Sequence, residues 1–350
     1  MKKEEVRMYS FKNDYAEGAH PAILDALVAS NLVQQAGYGE DVYGEEAKAL
    51  LKAKMQNPEA DIYFVSGGTQ ANLLVISTLL RPHEAVISAN TGHIYTNEAG
   101  AIEAAGHKVI AVASDDGKLT AASVAATVAA YGMRPHVVKP KLVYISNSTE
   151  IGSLYTRAEL TELWNYCTEA GLYLFVDGAR LGHALTAIDN DLTLADMAKL
   201  SHVFYIGGTK NGALLGEAIV FNKPELAPDF AYVVKQRGAL LAKGRILGVQ
   251  FLTLFTDDLY LELAQQANIL AAKMAAAFEA KGYDFLTKPQ TNQIFPILPH
   301  ALIEHLGTHY AFFVWKAIDS EKSAIRLITS WATEPEQVDS FIEAVEGWSS

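Results

Sequence analysis

From about residue 60 to residue 220 the apolar positions of this chain fall into short solid runs. DIYFVS, AVISA, KVIAV, KLVYIS, LYLFVD, HVFYIG and EAIVF are nearly continuous in apolar or aromatic residues. Such runs predict strands buried on both faces of a sheet, because a strand with one wet face alternates instead. Between them, TQANLLVISTLL, AASVAATVAAYG and TRAELTELWNYCTEAG space their apolar residues at helical intervals and carry helix-end signals. Strand and helix in alternation predict βαβ units: an α/β fold with a mainly parallel central sheet and helices on both faces. EAIVF follows HVFYIG too closely for a helical crossover, which makes it a hairpin partner.

The order changes in the last third. Residues 257–282 read as one long helix, followed by the short strands QIFPIL, YAFFVW and AIRLIT and a final helix. Thr333 and Glu336 have capping-box spacing at the start of that helix, with Pro335 in its first turn. This predicts a smaller α+β domain joined through a helix, since no Gly/Ser linker interrupts the chain. The division expected is an amino-terminal segment 1–20, a large domain 21–250 and a small carboxy-terminal domain 251–350.

Charge and cysteine usage narrow the partners. A net charge of −12 gives no global attraction to nucleic acid or anionic membranes. No run approaches the roughly 18 apolar residues of a membrane-spanning helix, and MKKEEVRMYSFKNDY lacks the apolar stretch of a secretory signal. Cys167 is the sole cysteine, so an intrachain disulfide is ruled out and a reducing, cytoplasmic location is expected.

Three stretches carry candidate chemistry, each at the carboxyl end of a predicted strand, where open α/β sheets bind ligands. In SGGTQANLL, Gly68 lets a backbone approach closely and Thr69 opens a helix whose first N–H groups are free, a geometry suited to phosphate. The same letters describe an ordinary turn and cap, and no GxGxxG or Walker pattern accompanies them. In LFVDGARLG, Asp177 ends an apolar strand, where a carboxylate calls for a cation. A protonated pyridine nitrogen would serve, and so would Arg180 three residues on. In GGTKNG, Lys210 reads either as a solvated loop cation or as a desolvated amine able to form a Schiff base. Phosphate cup, pyridinium partner and strand-end lysine are together the contacts of a pyridoxal phosphate (PLP) site, which favours the second reading of Lys210. His300, His305 and His309 crowd one segment, but Gly307 interrupts them and no HExxH frame is present, so no metal site is expected.

With HIYTNEAG, STEIG, VDGARLGHA, GGTKNG and IRLITSWAT in order, the chain resembles the threonine aldolase and β-eliminating lyase group of fold type I PLP enzymes. The low-specificity L-threonine aldolase branch is the most similar. The resemblance spans nearly the whole length and implies cleavage of L-threonine, L-allo-threonine and related β-hydroxy-α-amino acids to glycine and an aldehyde. It implies that Lys210 holds PLP, that Asp177 pairs with the pyridine nitrogen, and that His93 stacks on the ring. Gly68 and Thr69 would hold the phosphate, with Arg245 reaching the phosphate of a neighbouring subunit in a homodimer or homotetramer with shared sites. Arg180 and Arg326 would clamp the substrate carboxylate; Arg326 interrupts an apolar strand, which by itself suggests an anionic partner. Tyr38 and Tyr43 lie in a loop that would cross the dimer interface.

Two positions depart from the pattern. Asn13 stands where many relatives have serine, and its amide is able to donate a hydrogen bond to the carboxylate. Thr149 stands where many have a second histidine, which leaves His93, directly or through water, to take the substrate's β-hydroxyl proton. The competing expectations are a β-eliminating lyase, a phenylserine aldolase and a non-catalytic PLP- or phosphate-binding module.

Overall fold

A computed structural model describes residues 8–348. After β1 (Tyr9–Ser10), the chain supplies β2 (Asp61–Val65), β3 (Glu84–Ala89), β4 (Lys108–Val112), β5 (Lys139–Ser146), β6 (Tyr173–Asp177), β7 (Val203–Gly207) and β8 (Glu217–Phe221). These last seven form one sheet in the order β2-β8-β7-β6-β5-β3-β4. β8 is antiparallel to both neighbours and every other pairing is parallel, so EAIVF is the hairpin partner that its short connection required.

Both faces of this sheet are covered, which is why its strands are solidly apolar. On β6, Leu174 and Val176 point into one core with Leu51, Leu160 and Phe251, while Phe175 points into the other with Leu74 and Phe230. β7 divides in the same way: Phe204 and Ile206 face one side, Val203 and Tyr205 the other. Each such phenylalanine withdraws enough apolar surface to contribute about 1.5–3 kcal/mol. The helices Gly68–Leu79 and Arg157–Glu169 lie where their spacing predicted them, the second opened by a capping box between Thr156 and Glu159.

The remaining strands are β9 (Gln293–Ile294), β10 (Ile297–Pro299), β11 (Tyr310–Ala311), β12 (Phe313–Ala317) and β13 (Lys322–Ile328). β13 pairs antiparallel with β9, β10 and β12, and the helices Leu259–Ala280 and Pro335–Glu346 pack against this group. The amino terminus joins it: β1 runs parallel to β11, and Phe11 is buried with Met274, Ile325 and Phe341. The expected capping box at the last helix does not form. Glu334 is the N-cap and Pro335 the first helical residue, while the buried Thr333 hydroxyl accepts from Ser330 N at 2.8 Å. Closing that turn takes the oxygen that a cap would have needed.

Glycines let the ends of β6 and β7 approach each other. Gly207 N donates to Gly178 O at 2.9 Å, and a Cβ on Gly178 would lie 1.9 Å from Tyr205 O. A Cβ on Gly207 would lie 2.4 Å from Ala179 O. Gly178 beside Asp177 and Gly207 ahead of Lys210 therefore bring two backbones into contact that side chains would hold apart. Gly207→Ala should lower stability by about 1–3 kcal/mol through overpacking. The denaturation midpoint measures this, and a midpoint equal to the parent's would show that the Asp177–Arg180 turn yields without strain.

Candidate active site

The carboxyl ends of β2, β5, β6 and β7 open onto one cavity of about 330 Å³. Six of the nine residues singled out from sequence line it: Gly68, Thr69, His93, Asp177, Arg180 and Lys210. Asn13, Arg245 and Arg326 do not.

Asp177 is the buried floor of the cavity, 4% exposed at the end of β6. One carboxylate oxygen accepts from Tyr205 OH at 2.5 Å and Ala179 N at 2.9 Å; the other accepts from Tyr144 OH at 2.5 Å and Asn72 Nδ2 at 3.2 Å. Burial alone would raise this carboxyl, but His93 and the two tyrosine hydroxyls outweigh it and hold it below the usual range. Burial and the Asp177 charge push both tyrosines well up, so they remain donors. Asp177 is thus an anion kept charged by His93 and by neutral hydrogen-bond donors.

Lys210 follows β7 and is half-buried in the cavity wall. Desolvation and then Arg180 lower its amine, against the opposing pull of Asp14, Asp177 and Glu217. A lowered amine is the state in which lysine acts as a nucleophile. Across the cavity, the Ser66–Thr69 turn leads into the helix Gly68–Leu79 and presents that helix's first N–H groups.

His93 opens a short helix and is held at two points. Its Nδ1 lies 2.8 Å from Glu98 Oε1, and its backbone N donates to Glu150 Oε1 at 2.9 Å. With a carboxylate on Nδ1, that nitrogen carries the proton and Nε2 is the free position. Burial lowers the imidazole, but Glu98 and Asp177 outweigh it, and its proton affinity is raised. Asn72 Nδ2 lies 2.7 Å from the same Glu98 oxygen and also reaches Asp177, which ties both acids and His93 into one network.

Arg180 is engaged by a buried carboxylate. Its Nε and Nη2 donate to the two oxygens of Asp14 at 2.7 and 2.9 Å, and Asn292 Nδ2 donates to Asp14 at 3.0 Å. The guanidinium holds Asp14 far below the usual carboxylate range despite its burial. Arg326 sits close by in β13, its guanidinium 4.7 Å from the Trp315 ring centre and 5.2 Å from that of Phe313. Its Nη2 donates to Lys12 O at 3.4 Å, while its buried Nε has no partner among the described residues. Asn13 uses its side-chain oxygen to accept from Tyr15 N at 3.0 Å, next door to Asp14. Arg245 is bonded within its own chain, to the carbonyls of Ser30 and Val33, and its guanidinium lies 5.5 Å from the Tyr43 ring centre. Thr149 is buried and turned into its own loop, its hydroxyl 2.7 Å from Ser153 Oγ.

Several residues of the network carried no signal in the sequence. Tyr144 and Tyr205 read as core aromatics of apolar strands, and Glu217 as the polar start of EAIVF. Asn72 sits within a helix whose neighbours Ala71 and Leu74 are core residues. Glu98 was visible, five residues after His93 in HIYTNEAG; the spacing could have marked it as the histidine's partner.

The profile of the beta-eliminating lyase family matches residues 14–300. The low specificity L-threonine aldolase of Pseudomonas sp. is 32% identical over 336 residues, which cover 94% of each chain. A threonine aldolase from Leishmania major superposes with a TM-score of 0.95 at 45% identity, covering 97% of this chain and 99% of that one. Aspartate aminotransferase from Thermus thermophilus, at 16% identity, shares the fold alone, with a TM-score of 0.72 over 97% of this chain and 91% of that one. The architecture is therefore that of fold type I enzymes, whose lyase and aminotransferase families depend in general on PLP. Matched by the profile over most of its length and aligned nearly end to end with a curated aldolase, this chain belongs to the beta-eliminating lyase family, in its threonine aldolase branch.

Proposed function

We propose that the protein is a PLP-dependent aldehyde-lyase that cleaves L-threonine, L-allo-threonine and related β-hydroxy-α-amino acids to glycine and an aldehyde. One observation carries this reading: a lysine with a lowered amine, a charged buried aspartate and a glycine-rich helix entrance face the same cavity. The residues present fit the cofactor. Asp177 is an anion whose hydrogen-bond partners are all neutral donors, which suits a protonated pyridine nitrogen, and the Ser66–Thr69 turn offers N–H groups to a phosphate. Lys210 would hold the cofactor, which when bound supplies an electron sink for the substrate's α-carbon.

The chain's own groups do the rest. His93, with Nδ1 occupied by Glu98, turns Nε2 to a β-hydroxyl and takes its proton; with Thr149 facing away, no second imidazole competes for that role. Arg180, preset by Asp14, and Arg326, with an unpartnered Nε, receive the substrate carboxylate, assisted by Asn13. In this reading the large domain 21–250 carries most of the cavity, and the small domain 251–350 brings Arg326 next to Lys12 of the amino-terminal segment. The lone buried cysteine, Cys167, with its thiol pushed up to about 12, suits a cytoplasmic protein.

The active unit is proposed to be a homodimer or homotetramer with shared sites. Val28 in the helix Pro21–Ser30 and Leu32 just past its end are 77% and 92% exposed beside the Ser30 and Val33 carbonyls that bind Arg245, and Leu24, Val33 and Tyr38 of the same stretch are exposed too. An apolar patch of this kind marks a surface that another chain covers. On that surface Arg245 would extend to the phosphate of the adjoining subunit.

Supplied with PLP, the protein should convert L-threonine or L-allo-threonine to glycine and acetaldehyde, and Lys210→Ala should lose both turnover and the yellow absorbance of lysine-bound cofactor. Pyruvate from L-serine as the main product, with threonine untouched, would instead identify an eliminating lyase. Arg326→Ala should raise KM by roughly 10- to 150-fold while leaving cofactor absorbance intact, as loss of a charge-assisted contact of about 1.5–3 kcal/mol requires; unchanged kinetics would remove Arg326 from the substrate site. Mixing inactive Lys210→Ala subunits with impaired Arg245→Ala subunits should restore activity, because one hybrid site per mixed dimer is intact. No gain after confirmed subunit exchange would confine Arg245 to its own chain.

A further inference from the structure

Glu150 is a cavity acid that the proposed chemistry leaves unused. It lies half-buried in the loop that leaves β5 and lines the same cavity as His93 and Lys210. Two donors fix its Oε1: Ser146 Oγ at 2.6 Å and the His93 backbone N at 2.9 Å. Both bonds fall on one oxygen, so Oε2 is the acceptor that the carboxylate offers to the cavity. In the same loop Ser148 Oγ is buried in the cavity wall with no partner among the described residues, so this stretch presents unspent polar groups where a ligand would sit. Burial raises the Glu150 carboxyl and Asp177 adds to this, against the bonds from Ser146, its own N–H and His93 N. A raised carboxyl takes a proton more readily than a solvated glutamate does. The His93 ring is turned by Glu98 while its main chain is tied to Glu150, which holds Nε2 and Oε2 on one frame.

We propose that Glu150 is a second acceptor for the substrate's β-hydroxyl, so that His93 and Glu150 each serve one of the two β-epimers. The inference rests on the aldolase reading and names what lets one site take both L-threonine and L-allo-threonine. Anchors on the carboxylate and the amine fix the direction of the Cα–Cβ bond. With the methyl group kept in one place, inversion at Cβ moves the hydroxyl to a different staggered position. One acceptor reaches one of these positions; two acceptors held on a common frame reach both. In either case the hydroxyl proton passes to the acceptor as the carbon–oxygen double bond forms and the Cα–Cβ bond breaks, leaving its electron pair on Cα. The α-carbon then takes one proton back, and glycine and the aldehyde leave with atoms and charge balanced.

The deciding quantity is the ratio of kcat/KM for L-allo-threonine to that for L-threonine, measured on the PLP-loaded full-length chain. Glu150→Gln keeps an amide oxygen able to accept from Ser146 and His93 N but removes the proton acceptor. It should move the ratio about tenfold or more in one direction, and His93→Asn should move it comparably in the other. A ratio unmoved by Glu150→Gln overturns the proposal. So does a shift in the same direction as that of His93→Asn, because a carboxylate that only positions His93 would act through the imidazole. Binding without turnover gives a second readout. In the Lys210→Ala background with PLP added, calorimetry should show Glu150→Gln weakening one epimer and His93→Asn the other; equal losses for both epimers count against the assignment. Should Glu150→Gln fail to fold, Glu150→Asp, which draws the carboxylate back by one methylene, replaces it on the same criteria. A parent that releases glycine from neither epimer fails the aldolase reading, whereas a parent that cleaves both with a ratio indifferent to Glu150 refutes this inference alone.

Discussion

A charged carboxylate buried at the end of β6 is the constraint around which the site is built. Asp177 stays ionised because the His93 charge acts on it and four neutral donors converge on it: two tyrosine hydroxyls, an asparagine amide and a backbone N–H. Each donor comes from a different element, namely β5, β7, the helix Gly68–Leu79 and the turn after β6. Their convergence requires the ends of β6 and β7 to be pressed together, which Gly178 and Gly207 permit. Moving any of these elements would leave a buried anion with too few donors, and such a state is strongly unfavourable.

From that anchor the electrostatics of the cavity propagate outward. Asp177 supports the proton on His93, and Glu98 and Asn72 connect the two into a network with defined donor directions. On the other side, Asp14 fixes Arg180 as a cation, and the Arg180 charge in turn helps to keep the Lys210 amine low. Charges of both signs alternate around a small volume, so each sets the protonation of its neighbours. Such coupling lowers the Lys210 amine and raises the His93 imidazole, which brings both towards neutral pH.

Much of this was legible in the chain. Solid apolar runs disclosed a sheet buried on both faces, and the close spacing of HVFYIG and EAIVF disclosed its antiparallel strand. Lys210, Asp177 and the SGGT turn could be placed together because each ends a strand of one sheet, and strand ends of an open sheet share an edge. One local feature was misread: Thr333 looked like a helix cap, yet its hydroxyl closes a turn with Ser330 N and Glu334 becomes the N-cap.

The sequence by itself determined the element order, the family and the residue types of the site, because periodicity and strand-end motifs are properties of neighbouring positions. Only the tertiary structure decided how those residues are held. The Arg180–Asp14 pair spans an amino-terminal segment and a strand end. Asp177 collects donors from β5 and β7, and Glu217, at the start of β8, lines the same cavity as Lys210. Tyr144 and Tyr205 are core residues along most of their length and polar only at the tip, a distinction that composition does not carry. Protonation states follow distance and burial in three dimensions, and neither is encoded in the spacing of letters along the chain.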